Sequence, residues 1–93
     1  MLGVCKAVGE IDMANAPAFR ARLHDAIDDT PGELVVVDCS DLVFMGAAAY
    51  HALVDATAYA VRRNRTLVIR NLSAACGYVM RLCDRDRELH IEP

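Results

Sequence analysis

Apolar and polar positions along the chain follow two periods in turn, one typical of strands and one typical of helices. Gly3–Val8 is short and apolar and precedes the polar pair Gly9-Glu10, which predicts a strand. Leu34–Val37 is apolar throughout and rich in β-branched residues, which predicts a strand buried on both faces. Leu67–Ile69 predicts a third, shorter strand.

Three helices are predicted between and after these strands. The first follows the N-cap residue Asn15 and ends near Asp29, because Thr30-Pro31-Gly32 is a breaker sequence. The second runs from Ala47 to about Asn64, and the third begins after Ser73. The apolar positions recur at helical spacing and comprise Phe19, Leu23, Ala26 and Ile27, then Tyr50, Leu53, Val54, Thr57, Ala60 and Val61, and finally Cys76, Val79, Met80, Leu82 and Cys83.

Strand and helix therefore alternate three times along 93 residues. This order predicts a single α/β domain over residues 1–93, with a small, mostly parallel sheet of three to four strands and helices packed on it. The charged run Asp84–Glu88 predicts a solvated helix end or loop, after which Leu89 and Ile91 are expected to pack back onto the core.

The stretch Leu34–Tyr50 forms the centre of this arrangement. After the strand, the polar residues Asp38, Ser40 and Asp41 predict a turn, and a second apolar step, Leu42–Met45, leads to Gly46 and a run of alanines. A strand that feeds a helix N-terminus is where α/β proteins place anions and partner contacts. The alanines carry no group able to do chemistry, which favours binding over catalysis.

Composition narrows the possible functions further. The net charge of −3 gives no basic surface for nucleic acid, and no apolar run reaches the roughly 20 residues that span a bilayer. Met1–Gly9 lacks the features of a signal peptide, so a cytoplasmic protein is expected. The arginine cluster at 62, 63 and 65 is expected at the end of a helix, where cations suit the dipole.

The four cysteines, at positions 5, 39, 76 and 83, form no C-x-x-C pair and show no metal-ligand spacing with the histidines. Free thiols in a reducing compartment are therefore expected, with no metal and no cofactor. No nucleophile–base pair, paired carboxylates or phosphate-binding glycine loop is present in the sequence, so we do not expect an enzyme.

A set of short motifs resembles the STAS domain, the module of sulfate transporters and anti-sigma factor antagonists. The resemblance covers nearly the whole chain and rests on the order and spacing of the motifs together. It implies a small sheet with helices packed against it. The motifs are Gly9-Glu10-Ile11-Asp12, Asn15-Ala16-Pro17, Val37-Asp38-Cys39-Ser40, Phe44-Met45 and Asn71-Leu72-Ser73.

The resemblance implies a regulatory role for the start of the second helix. In bacterial antagonists of this family, an Asp-Ser-Ser/Ala-Gly segment follows the Phe-Met or Phe-Leu pair, and an anti-sigma factor kinase phosphorylates its first serine. The unphosphorylated antagonist binds that kinase and frees the sigma factor. Here Gly46, Ala47, Ala48 and Ala49 occupy these positions, so Ala47 replaces the phosphoacceptor and the usual switch cannot operate.

The predicted partner is accordingly an anti-sigma factor of the serine kinase type in a bacterial stress response, bound without phosphorylation control. Two alternatives are a degenerate module that serves as an assembly subunit of a stress-signalling complex, and a binding module for a nucleotide or lipid. The residues predicted to contact the partner are Asp12, Asp38, Ser40, Gly46, Ala47, Ala48, Ala49 and His51.

Several of these residues have a plainer interpretation. Asp12 is equally well explained as a polar loop residue, and Asp38 as a carboxylate that accepts from turn N–H groups. Ser40 is the nearest hydroxyl to the alanines and is either a substitute phosphoacceptor or a turn serine bonded to its own backbone. Tyr50 is expected to pack on the core and His51 to be exposed.

The N-terminus departs from the family. STAS domains normally begin with a strand that pairs with the one before the Gly-Glu motif, yet only eight residues precede Gly9. One edge of the sheet is then uncovered, and an unpaired edge invites pairing with another chain. This predicts a homodimer or partner contact through Gly3–Val8.

Overall fold

The computed structural model of the protein describes residues 2–92. Strands and helices alternate in the predicted order, and the strands form a parallel sheet of order β1-β2-β3. This confirms the α/β fold and each predicted element. The elements are β1 (Leu2–Ile11), α1 (Ala16–Asp29), β2 (Leu34–Met45), α2 (Ala47–Arg62), β3 (Thr66–Arg70) and α3 (Ala74–Cys83).

The core lies on one face of the sheet. The strands lie side by side in chain order, so right-handed crossovers carry every connecting helix to the same face. Inward side chains such as Val35, Val37 and Ile69 join the helices in one buried cluster. On the other face Val4, Val36 and Val68 form a row across the three strands, and only Val36 and Val68 in it are buried.

The predicted turn after Val37 is wrong, because β2 continues to Met45. Asp38 and Ser40 alternate with the buried Cys39, so they are the outward-facing positions of a strand. Polar residues on the solvent-exposed face of a strand have the same composition as a turn. This similarity explains why the sequence predicted a turn here. The second half of β2 pairs with β1 as far as Ile11 and Met45.

β1 also continues past Gly9-Glu10, the pair predicted to follow the strand. The register between β1 and β2 shifts between Gly9 and Glu10, and Gly9 has a φ of +73°. Glycine tolerates this conformation, and a bulge of this kind turns the strand without ending it. The C-terminal end of β1 therefore lies close to the start of α1.

The helix boundaries agree closely with the sequence. Ser73 caps α3, since its hydroxyl oxygen accepts from the Cys76 N–H at 3.1 Å. Asn15 stands at the N-cap of α1 as predicted, but its side-chain oxygen accepts from the Asp12 N–H instead of from the helix. α2 ends at Arg62, two residues earlier than predicted, and Asn64 takes a φ of +61° in the following turn.

The arginines at the end of α2 fix it to α1. The Arg63 guanidinium is 3.0 Å from the Asp28 carboxylate and lies over the Tyr59 ring, whose hydroxyl also donates to Asp28. These hydrogen bonds hold the pKa of Asp28 below its usual value. Arg65 donates twice to the Thr30 carbonyl. The cluster therefore acts in helix packing as well as at a helix end.

The last residues return to the core as predicted. Leu89 is buried, and Ile91 forms a parallel bridge with Ile69 on the free side of β3. The intervening Asp84–Glu88 run is a loop. Across the described part of the chain, no helix is long and apolar enough to cross a membrane.

Candidate partner-binding surface

The junction between β2 and α2 lies where the carboxyl ends of two parallel strands meet. The Gly46 N–H donates to the Ile11 carbonyl at 3.1 Å, which ties the junction to the end of β1. The Gly46 carbonyl accepts from Ala49 and Tyr50 and so begins α2. Gly46 is the N-cap residue and has no side chain to cap the helix. The N-terminus of α2 is thereby capped by backbone groups alone.

The three alanines that follow point in different directions. Ala47 is exposed, Ala48 is half-buried and Ala49 is part of the core. A side chain at position 47 therefore meets solvent or a partner, whereas one at position 49 meets the core. This geometry makes Ala47 the accessible residue of the run.

The loop between β1 and α1 forms the neighbouring wall. The Asp12 carboxylate accepts from the N–H groups of Ala14 and Asn15, at 2.9 and 3.1 Å. Asn15 in turn accepts from the Asp12 N–H and donates to the Glu10 carbonyl. Asp12 is exposed, and its carboxylate orders this loop. These hydrogen bonds explain an aspartate at position 12 by its role in the loop, and no contact with another protein is needed to explain it.

Exposed apolar side chains surround the junction. Met13, in the ordered loop, is 82% exposed, and Phe44, at the end of β2, is 51% exposed. The Phe44 ring lies beside Gly46, 4.0 Å from where a β-carbon on that glycine would stand. Apolar side chains that converge on one exposed region are typical of protein-binding surfaces. We call Met13, Phe44, Ala47, Ala48 and His51 the junction surface.

A groove continues the junction surface between α1 and α2. It has a volume of about 400 Å³. Its walls are mostly apolar, and Arg20 and His51 add polar groups. His51 is exposed as predicted and packs edge-on against Tyr50, with ring centroids 5.4 Å apart. The groove is lined by Met13, Ala16, Pro17, Arg20, Ala48, His51 and Ala52.

Asp38 and Ser40 do not belong to the junction surface. Asp38 is not at a strand end, as the sequence suggested, but within β2, in a row with Lys6 and Arg70. Its carboxylate accepts from the Asn71 amide and the Ser40 N–H, both at 3.0 Å. These bonds, the Asn71 bond most of all, lower the pKa of Asp38. About five residues of extended strand, roughly 17 Å, separate Ser40 from the end of β2.

The structure thus brings together part of the predicted site. Gly46, Ala47, Ala48 and His51 lie around the junction, with Asp12 in the adjacent loop. Sequence reasoning did not identify Met13 and Phe44 as exposed apolar residues at the junction. A signal was present for Met13, because an apolar residue stands between the polar residues of a tight loop.

Reactive groups are scarce in the described range. Within residues 2–92, no group of three or more His, Cys, Asp or Glu side chains is arranged to hold a metal ion. All four cysteines are free, and three are buried. Burial, above all, raises the pKa of the Cys39 thiol to about 12, which keeps it in the unreactive protonated form.

The strand-to-helix junction of this α/β domain thus carries exposed apolar side chains, and Met13 and Phe44 are the most prominent of them. Comparison with known protein families identifies the family of the chain. The STAS domain model matches residues 2–93, and the chain belongs to this family. No curated protein matches the sequence at a significant level.

A solved structure shares the fold. The structure of the anti-sigma factor antagonist SpoIIAA in its unphosphorylated form superimposes with a TM-score of 0.77. The match covers 99% of this chain and 80% of that one, at 15% sequence identity. This similarity confirms the predicted STAS fold.

Proposed function

We propose that the protein is a regulatory binding module of the anti-sigma factor antagonist type, active in the bacterial cytoplasm. The observation that carries the proposal is the position of Ala47, which is exposed on the first turn of α2. Its neighbour Gly46 lies beside the Phe44 ring, and its neighbour Ala48 shares a groove with Met13. Membership of the STAS family and the fold shared with SpoIIAA support it. The proposed partner is an anti-sigma factor with a serine kinase fold.

We propose further that this binding escapes phosphorylation control at the usual position. Alanine has no hydroxyl, so Ala47 cannot accept a phosphoryl group. Two hydroxyls of α2, that of Tyr50 on the first turn and that of Thr57 about two turns further along, are both buried and hydrogen-bonded, to Asp84 and to the Leu53 carbonyl. A phosphate brings close to two negative charges and three acceptor oxygens, enough to break an apolar contact. Without that modification the complex should persist.

The test compares substitutions at Ala47 with the same substitutions at Ala58. Ala58 is also exposed on α2, about three turns away, so it controls for general effects of a new side chain on that helix. The wild-type chain and all variants are mixed with each anti-sigma factor kinase of the host, and binding is measured by calorimetry. Phosphate incorporation is measured by mass spectrometry.

We expect the wild type to bind one kinase and to remain unmodified. Ala47→Ser should accept phosphate from the bound kinase while Ala58→Ser does not, and Ala47→Asp should weaken binding on the order of tenfold or more, as does the loss of a well-packed contact at an interface centre. If neither the wild type nor Ala47→Ser binds any kinase, the antagonist function is wrong and the assembly-subunit alternative is favoured.

The free edge of β1 supports a second contact, which we propose to be a homodimer through Gly3–Val8. In the described range no strand pairs with the outer side of β1, and its side chains Leu2, Val4 and Val8 are about half exposed. An open edge with exposed apolar side chains favours pairing with another strand.

A further inference from the structure

In the loop after α3, two basic side chains line a cavity, and the two acidic residues that alternate with them do not. The loop sequence, Arg85-Asp86-Arg87-Glu88, alternates basic and acidic residues, and the charged run predicts only a solvated helix end or loop. In the structure, Arg85 and Arg87 line a cavity of about 410 Å³ together with Arg81 of α3. Asp86 and Glu88 do not line it. Three arginine side chains therefore line one cavity, and Asp84 is the one acidic residue among them.

These three arginines differ from most other arginines of the chain. Within residues 2–92, the side chains of Arg81, Arg85 and Arg87 form no hydrogen bond or ion pair with another residue, whereas five of the remaining six arginines do. The engaged pairs are Arg20 with Asp55, Arg22 with the Lys6 carbonyl, Arg63 with Asp28, Arg65 with the Thr30 carbonyl and Arg70 with Glu92. Like charges held together without a counterion repel one another, so the cavity favours an anion.

One acidic residue, Asp84, lines the cavity, and its carboxylate oxygens are already hydrogen-bonded within the protein. Its carboxylate accepts from the Tyr50 hydroxyl and from the N–H groups of Glu88 and Leu89. These bonds fix the path of the loop from Asp84 to Leu89. Arg87, inside this loop, takes a left-handed φ of +52°, a conformation that is uncommon for a residue with a side chain. The arginines are thus displayed by an ordered loop.

The remaining lining is apolar. Leu89 is buried and Ile91 is half-buried, and both lie against the core side of the cavity. The volume of about 410 Å³ is several times that of a phosphate ion and falls within the range of small-molecule sites, about 300–1,000 Å³. Guanidinium groups match phosphate oxygens in charge and in paired hydrogen-bond geometry.

We propose that this cavity binds a small phosphorylated molecule. The phosphate lies among Arg81, Arg85 and Arg87, and the uncharged part of the molecule covers Leu89 and Ile91. The site is separate from the junction surface and does not depend on the proposed binding of an anti-sigma factor. Tyr50 joins the two regions through its bond to Asp84, since it belongs to the first turn of α2.

The experiment measures melting temperature and calorimetric binding with three probes, namely inorganic phosphate, glucose 6-phosphate and glucose. Chloride is adjusted to keep the ionic strength constant, because screening alone changes surface electrostatics. We expect both phosphates to raise the melting temperature of the wild type and glucose to have no effect. Glucose 6-phosphate should bind more tightly than inorganic phosphate, because its ring covers the apolar wall.

Arg85→Gln/Arg87→Gln should raise the dissociation constant for glucose 6-phosphate on the order of tenfold or more, as expected when charge-assisted hydrogen bonds are lost. Arg62→Gln is the matched control, because Arg62 is exposed, forms no ion pair within residues 2–92 and lies outside this cavity. Equal binding by wild type and the double variant would overturn the proposal. So would the absence of any thermal shift with both phosphates at millimolar concentration, or an equal shift with glucose.

Discussion

The hydroxyl of Tyr50 donates a hydrogen bond of 3.1 Å to the carboxylate of Asp84, 34 residues further along the chain. Both residues are more than nine-tenths buried. The bond joins the first turn of α2 to the loop that follows α3. Since Gly46 caps α2 with backbone groups only, this contact is the side-chain anchor of the helix start that carries Ala47.

Tyr50→Phe should lower the free energy of unfolding by about 1–2 kcal/mol, because it removes one of the three donors to a buried carboxylate. Urea unfolding followed by circular dichroism measures the change. Tyr78→Phe is the matched control, since Tyr78 is 61% exposed and its hydroxyl has no protein partner within residues 2–92. Equal losses in the two variants would mean that the Tyr50–Asp84 bond contributes nothing measurable.

The same bond predicts a dependence on alkaline pH. Burial, followed by the Asp84 carboxylate, raises the pKa of Tyr50 from 10.0 to about 12. The folded state therefore holds the phenol proton more tightly than the unfolded state does, so the Tyr50 contribution is complete below pH 10 and is lost between pH 10 and about 12. The difference in free energy of unfolding between wild type and Tyr50→Phe should shrink across that interval.

Other groups that titrate at alkaline pH are present in both proteins, and their contributions cancel in the difference. A difference that stays constant up to pH 12 would show that the pKa of Tyr50 is the same in the folded and unfolded states.

The periodic parts of the sequence were sufficient to predict the elements. Phe19, Leu23 and Ile27 recur at helical spacing and are all fully buried in α1, and Ser73 caps α3 as expected. The failure at Asp38 has a physical reason. Local sequence gives the polarity of a segment, but whether alternate polar residues form a turn or the open face of a strand depends on a neighbouring strand, here β1.

The candidate site shows the same limit. The junction at Gly46 follows from the order of strand and helix, so its position was predictable. The exposure of Phe44 and the bond from Tyr50 to Asp84 depend on which distant segments meet, and no local pattern encodes them. The alternating charges of Asp84–Glu88 likewise give no indication that the arginines lie together.

Gly3→Ala should destabilise the protein, since a β-carbon at Gly3 would stand 1.9 Å from the Thr30 hydroxyl oxygen. Overpacking of this kind typically costs about 1–3 kcal/mol. The contact lies where β1 passes the end of α1, so the glycine permits the close approach of the two elements. Thermal unfolding measures the loss.

Thr30→Ala provides the matched background for this substitution. It removes the Oγ1 and Cγ2 atoms but leaves the Thr30 β-carbon, which is 3.0 Å from the same position. The cost of Gly3→Ala should therefore be smaller in the Thr30→Ala background without vanishing. Strictly additive effects of the two substitutions would contradict the steric explanation, because residues in direct contact are expected to couple.

Arg22→Ala should strengthen self-association through β1. The Arg22 guanidinium donates to the Lys6 carbonyl at 3.2 Å, so it occupies one of the backbone acceptors of β1. A charged side chain over an edge strand opposes pairing with another chain. Removing it leaves the carbonyl free for a second copy, so sedimentation equilibrium should show the dimer at a lower concentration than for the wild type.

Two further variants separate edge pairing from non-specific association. Arg62→Ala removes an exposed arginine on α2, far along the chain from β1, and should leave the dissociation constant of the dimer unchanged. Val4→Lys places a charge on the exposed face of β1 and should weaken the dimer even in the Arg22→Ala background, because like charges would face each other near the two-fold axis. If Arg22→Ala stays monomeric at high micromolar concentration, the edge of β1 is not a self-pairing surface. In that case Arg22 and the charged Lys6 lie along an edge of the sheet that stays exposed to solvent.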